Sequence, residues 1–184
     1  MKDLAELLES LVADAFQIKT KNNTISITEN KPEASCKFVH LETDGPAFSF
    51  TLDKDKHIVL PFKREAQFIN KVNDCILFFK KDDNLICLLI ELKSSKDANY
   101  IHQLKSGRNF VRYLLNQIND FYDVKPQVKY FGLLFREAKS SPNKNPFRRG
   151  DNAFIQNVGL KVATLPGNQT YKLSYIRHHI PATD

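Results

Sequence analysis

The sequence predicts an α/β domain in which a mixed β-sheet carries helices packed against it. Apolar residues near the N-terminus recur at helical spacing. Two strongly apolar runs, NDCILFF and LICLLIELK, are joined by the short polar turn KKDDN. The period then changes to helical over about residues 96–121, before a further apolar run. Strands on both sides of one long helix are the pattern of a mixed sheet with covered faces.

Taken in order, Leu4, Leu7, Leu8, Leu11, Val12 and Ala15 predict an amphipathic helix over roughly 3–17. Within the polar stretch Lys19 to Lys31, Thr24 to Thr28 alternates like a short strand. Cys36 to Leu41 and Ala47 to Leu52 read as strands joined by the turn Thr43-Asp44-Gly45-Pro46. The pattern is weaker around Ile58 to Phe62, and Pro61 argues against a central strand there.

Cys75–Phe79 and Leu85–Lys93 then form a hairpin. The near-continuous apolar run Leu85–Leu92 predicts a central strand covered on both faces. Ile101, Leu104, Val111, Leu114, Leu115 and Ile118 share one helix face, and Pro126 closes that element. Gln127–Phe135, Leu160–Leu165 and Tyr171–Ile176 read as strands, the last two around the turn Pro166-Gly167-Asn168. Residues 138–152, AKSSPNKNPFRRGDN, predict a mobile, basic surface loop within a single domain spanning 1–184.

The composition, 42% hydrophobic and 26% charged, is that of a globular protein with room for a real core. Aromatic packing should rest on the 14 Phe, since Trp is absent. A net charge of +6 favours a polyanionic partner without demanding one. Cys36, Cys75 and Cys87 form no CxxC pair, so buried free thiols in a reducing compartment are expected. The N-terminus lacks the pattern of a signal peptide and no segment approaches a membrane span, so a cytoplasmic, membrane-free setting is expected. No phosphate loop, nucleophile elbow or dinucleotide fingerprint is present.

The chemistry concentrates at the hairpin's open end. On a strand Glu91 and Lys93 point the same way, and Leu92 points opposite. Pairing about a turn near residue 82 sets Asp74 opposite roughly residue 90, so Asp74, Glu91 and Lys93 converge. Two close carboxylates repel unless a cation sits between them. Mg²⁺ (or Mn²⁺) is the usual answer, with the Leu92 carbonyl as a further oxygen. A lysine there can orient an attacking water or neutralise charge on a phosphoryl transition state. A plainer reading stays open, in which Glu91 and Lys93 are only a charged pair guarding an edge strand.

Asp74, then Glu91-Leu92-Lys93 at the end of an apolar strand, resembles the Asp…Glu-X-Lys motif of the PD-(D/E)XK nuclease superfamily. The resemblance is carried by residues 72–118 and extends over roughly 3–135 through the order helix, three strands, helix, strand. Ser94-Ser95 and the helical Gln103 are also similar. Asn73 replaces the usual Pro, and no QxxxY pattern follows Gln103, unlike the RecB-like exonuclease branch.

The resemblance implies a restriction-endonuclease-like fold and a metal-dependent endonuclease acting on DNA rather than RNA, with defence against foreign DNA its first-ranked setting. Asp74 and Glu91 would hold the metal, Lys93 would be the catalytic lysine and Gln103 an accessory group. Glu6 or Glu9 would be the acid that members often add from the first helix. Lys105, Arg108 and Arg112 share a helix face and, with Arg148 and Arg149 in the basic loop, are the candidate phosphate contacts. A chain this short would work as a homodimer or with a partner subunit. The alternative is a subunit that keeps the fold and binds nucleic acid, or assembles with partners, without cutting.

Overall fold

The computed structural model describes residues 4–53, 72–94, 99–137, 154–157 and 159–181. Its elements, in chain order, are α1 (Leu4–Leu11), β1 (Thr24–Thr28), β2 (Phe38–Glu42), β3 (Ala47–Phe50), β4 (Cys75–Lys81) and β5 (Asn84–Lys93). There follow α2 (Tyr100–Tyr122), β6 (Val128–Arg136), β7 (Ile155–Asn157), β8 (Leu160–Pro166), β9 (Gln169–Lys172) and α3 (Leu173–His179). The architecture is α/β: a six-stranded mixed sheet in the order β3-β4-β5-β6-β8-β7 and a three-stranded sheet in the order β1-β2-β9.

Alternation along β4 explains how the larger sheet is covered twice. Cys75, Leu77 and Phe79 join a core with Ile25, Ile27, Val39 and Leu41 of the small sheet and with Leu173 and Ile176 of α3. Ile76 and Phe78 join a second core with Leu7 and Leu8 of α1 and with Leu104, Val111, Leu115 and Ile118 of α2. Burying each such side chain contributes about 1.5–3 kcal/mol, so a strand apolar on both faces stays central. β5 occupies that place, antiparallel to β4 and parallel to β6.

α2 is the crossover that makes the β5–β6 pair parallel. Its buried stripe is Leu104, Gly107, Val111, Leu115 and Ile118, and it ends at Asp123, whose left-handed backbone donates its N–H to the Asn119 carbonyl. Gly132 of β6 lets the helix settle: a Cβ there would lie 2.8 Å from Leu104 Cδ1 and 2.9 Å from Val162 Cγ2.

Two expectations are corrected. The first helix stops at Leu11 rather than near residue 17. The Gln17 amide takes the carbonyls of Glu9 and Val12, and Ile18 N–H bonds the Ser49 carbonyl, so the chain is drawn off to the edge of β3. Tyr171–Ile176 is not one strand, because the chain turns helical at Leu173. Leu173, Ile176 and Ile180 lie three and four residues apart and all enter the core, so the helical period wins over the alternation of Tyr171, Leu173 and Tyr175. The Thr43–Pro46 turn passes the chain between sheets, since β2 and β3 lie in different ones. The short β7 was not anticipated. The stretch around Ile58–Phe62 and the basic loop at 138–152 lie outside the described residues. Cys36, Cys75 and Cys87 are buried free thiols, as expected.

Replacing Gly132 by Ala should cost about 1–3 kcal/mol by overpacking the α2–sheet contact. Urea unfolding measures this, and a variant as stable as wild type would contradict the close approach.

Candidate active site

The β4–β5 hairpin turns on two residues, Asp82 and Asp83, because Lys81 pairs with Asn84. Asp82 takes φ 54°, a left-handed conformation that Asp tolerates better than most residues. The turn fixes the register, and at the open end Cys75 pairs with Ile90. One step further out, Asp74 stands across from Glu91. Glu91 lies on the face covered by α1 and α2, the face that Leu89 of the same strand also occupies.

Asp74 Oδ2 accepts the Leu92 N–H at 2.6 Å, so the carboxylate closes the end of the hairpin as a backbone bond would. Glu91 is only 1% exposed. Its Oε1 accepts a hydrogen bond from the Lys93 ammonium at 2.9 Å, while Oε2 is buried and has no hydrogen-bond partner among the described residues. Burial, and then the Asp74 carboxylate, push Glu91 up to about 8, against the pull of Lys93 and of the Asp74 backbone N–H. Burial pushes Asp74 up to about 6, opposed by the Leu92 N–H and by Lys93. Both acids therefore resist ionising without a further cation, and an orphan carboxylate oxygen is a costly feature in a core. That donor set suits a hard divalent ion such as Mg²⁺, which takes one or two carboxylates and keeps several waters. Among the described residues no third His, Cys, Asp or Glu joins them to make a larger metal cluster, and Glu6 and Glu9 are exposed on α1.

The accessory residues divide. Gln103 donates its amide to the Val72 carbonyl at 3.1 Å, so it braces the segment that leads into Asp74. Gly107, one turn further along α2, makes room for the buried Asn73, whose amide oxygen occupies the place a Cβ would take. Ser94 Oγ accepts the N–H groups of Ser35 and Cys36, a structural tie between the end of β5 and the start of β2. Arg108 and Arg112 line a common cleft, whereas Lys105 is not among the residues lining it. Arg148 and Arg149 lie outside the described residues.

Several residues near the acidic pair had no sequence signal. Arg136, in register with Lys93, sits at the same end of the sheet with its guanidinium 5.4 Å from the Tyr100 ring centroid. The expected strand stopped one residue short of it. The Glu29–Lys31 ion pair, at 3.0 Å, and Asp53 lie within electrostatic reach of Asp74. Asp53 follows β3, whose Phe50 pairs with Ile76, so the chain there runs beside the approach to β4. Glu29 and Lys31 stand in a polar stretch with no periodicity to mark them. Comparison of the chain with models of known protein families, with curated proteins and with solved structures finds no significant match.

Two outcomes follow for chelator-treated protein. Because the folded state raises the Glu91 pKa, it binds a proton that the unfolded chain releases near pH 4.3. That stabilising contribution is complete below about pH 4 and fades as pH rises toward 8. Glu91→Gln should flatten this decline in thermal melts between pH 5 and 8, and an unchanged slope would contradict the burial of this charge. Gly107→Ala should lower stability by about 1–3 kcal/mol despite the better helix propensity of Ala, because Asn73 has nowhere to go; a rise in melting temperature would show that the site relaxes.

Proposed function

We propose that the protein is a metal-dependent nuclease that hydrolyses phosphodiester bonds of DNA, built on a restriction-endonuclease-like core. The observation that carries this reading is the meeting of Asp74, Glu91 and Lys93 at the end of β5, with one Glu91 oxygen buried and unpartnered among the described residues. The element order α1, β3-β4-β5, α2, β6 within the larger sheet supports the fold assignment. So does the parallel β5–β6 pair bridged by α2.

In this reading Asp74 and Glu91 hold Mg²⁺ or Mn²⁺, with the Leu92 carbonyl as a further donor. Such an ion supplies charge to polarise a phosphoryl oxygen and to acidify water. The protein's own groups do the rest. The Leu92 N–H fixes the Asp74 carboxylate through Oδ2. Lys93 keeps its ammonium partly exposed at the mouth of the site, where it can hold the attacking water or offset charge gathering on the phosphate. Gln103 and Gly107 keep the strand before Asp74 in place from α2. Arg136 adds a cation that suits a phosphate group.

A second reading, binding without cleavage, draws on two observations: Lys93 is ion-paired to Glu91, and Gln103 is engaged with a backbone carbonyl. Incubation of purified protein with supercoiled, linear and single-stranded DNA and with RNA separates the two. We expect DNA cleavage with Mg²⁺ or Mn²⁺, abolished by chelator, and at least about a hundredfold loss in Glu91→Ala and in Lys93→Ala. Cleavage surviving both substitutions would remove the mechanism, and binding with no cleavage under either metal would establish the second reading.

A further inference from the structure

Away from the acidic pair, α2 and the β6–β8 pair enclose a cleft of about 300 Å³. Arg108, Arg112, Lys129, Tyr130, Gln156 and Lys161 line it, and no acidic residue is among the described residues that line it. Arg108 is anchored by an Nη1 hydrogen bond to the Gly159 carbonyl at 2.8 Å, while its Nε is buried and has no hydrogen-bond partner among the described residues. Arg112 is exposed, with its guanidinium 5.8 Å from the Tyr130 ring centroid. Burial and the neighbouring Arg112 cation push the Arg108 guanidinium down. Two like charges are thus held together where no described lining residue carries a carboxylate to offset them. Guanidinium groups so placed match the planar, forked recognition of phosphate oxygens.

We propose that this cleft is a phosphate site, filled by the backbone of a nucleic-acid strand whose other contact is the acidic end of the sheet. The choice of nucleic acid as the source rests on the nuclease reading; the phosphate chemistry does not. Along β6, Lys129 is in register with Ile86 and Leu134 with Glu91, five positions apart. At about 3.3 Å per residue the two ends are separated by roughly 17 Å. A stacked strand advances about 3.4 Å per nucleotide, so it spans that gap in about five nucleotides. The two sites would thus hold one substrate at two points, and the second would fix its direction relative to the reacting phosphate.

The test is binding of a labelled duplex of about 20 base pairs, followed by fluorescence anisotropy in EDTA across a salt series. Arg112 is exposed, so its variants should melt as wild type does, and melts check this. Lys172→Glu, on the exposed edge of the small sheet, is the charge-matched control. We expect Arg112→Ala to weaken binding about fivefold and to reduce the salt slope by about one. Arg112→Glu should weaken it more than about tenfold, with Lys172→Glu close to wild type. Wild-type affinity and slope in both Arg112 variants would overturn the proposal. ATP binding that requires Arg112, alongside duplex binding that ignores it, would overturn the strand as the source. Because no metal is present, the outcome is independent of catalysis. Duplex bound through Arg112 but never cut would sink the nuclease reading and support the phosphate site, whereas cleavage with binding indifferent to Arg112 would sink only the latter.

Discussion

The arrangement at the candidate site depends on the register of the β4–β5 hairpin. Side chains alternate along a strand, so a slip of one residue would move Glu91 to the opposite face and leave Asp74 facing Ile90. Two devices hold the register. The two-residue turn at Asp82 and Asp83 sets it at one end, and the bond from the Leu92 N–H to Asp74 closes it at the other. Between them the strands are apolar on both faces, and each face is buried in its own core. A slipped pairing would therefore misplace buried Phe, Leu and Ile side chains on both sides of the sheet. The core that makes the fold stable is also what keeps two acids together.

Stability and chemistry pull against each other at that point. A carboxylate that is 1% exposed, with one oxygen unpartnered among the described residues, is an unfavourable thing to build into an otherwise apolar strand. Lys93 offsets part of the cost, and the rest shows as a raised pKa. Such local conflict is expected at functional sites and is maintained by the surrounding fold. Here the support comes from α2: Gln103 holds the Val72 carbonyl and Gly107 admits Asn73, both just before Asp74 in the chain. The same helix carries Arg108 and Arg112 to the cleft against β6 and β8. One element thus braces the acids and presents the basic groups.

Much of this was legible in the amino acids because strong local patterns dominated. The hairpin, the long helix and the central strand announced themselves by period, and the pairing estimate for Asp74 fell within one residue of the observed register. What escaped depended on tertiary contacts. Nothing in Val12–Phe16 shows that Gln17 and Ile18 will be captured by the edge of β3. Leu173–Ile176 fits both periods, and only the core it meets selects the helix. Lys105, Arg108 and Arg112 share a helix face by spacing, yet only the last two reach the cleft. Arg136 lay one residue past the expected strand, and Glu29 and Lys31 sit in a stretch with no pattern at all.

The central claim is that Asp74 and Glu91 together hold a divalent ion. An anomalous difference map from a crystal grown with Mn²⁺ tests it most directly. A strong peak is expected about 2–2.6 Å from a carboxylate oxygen of each residue. Carboxylates more than about 8 Å apart, or Mn²⁺ bound elsewhere with none between them, would contradict it.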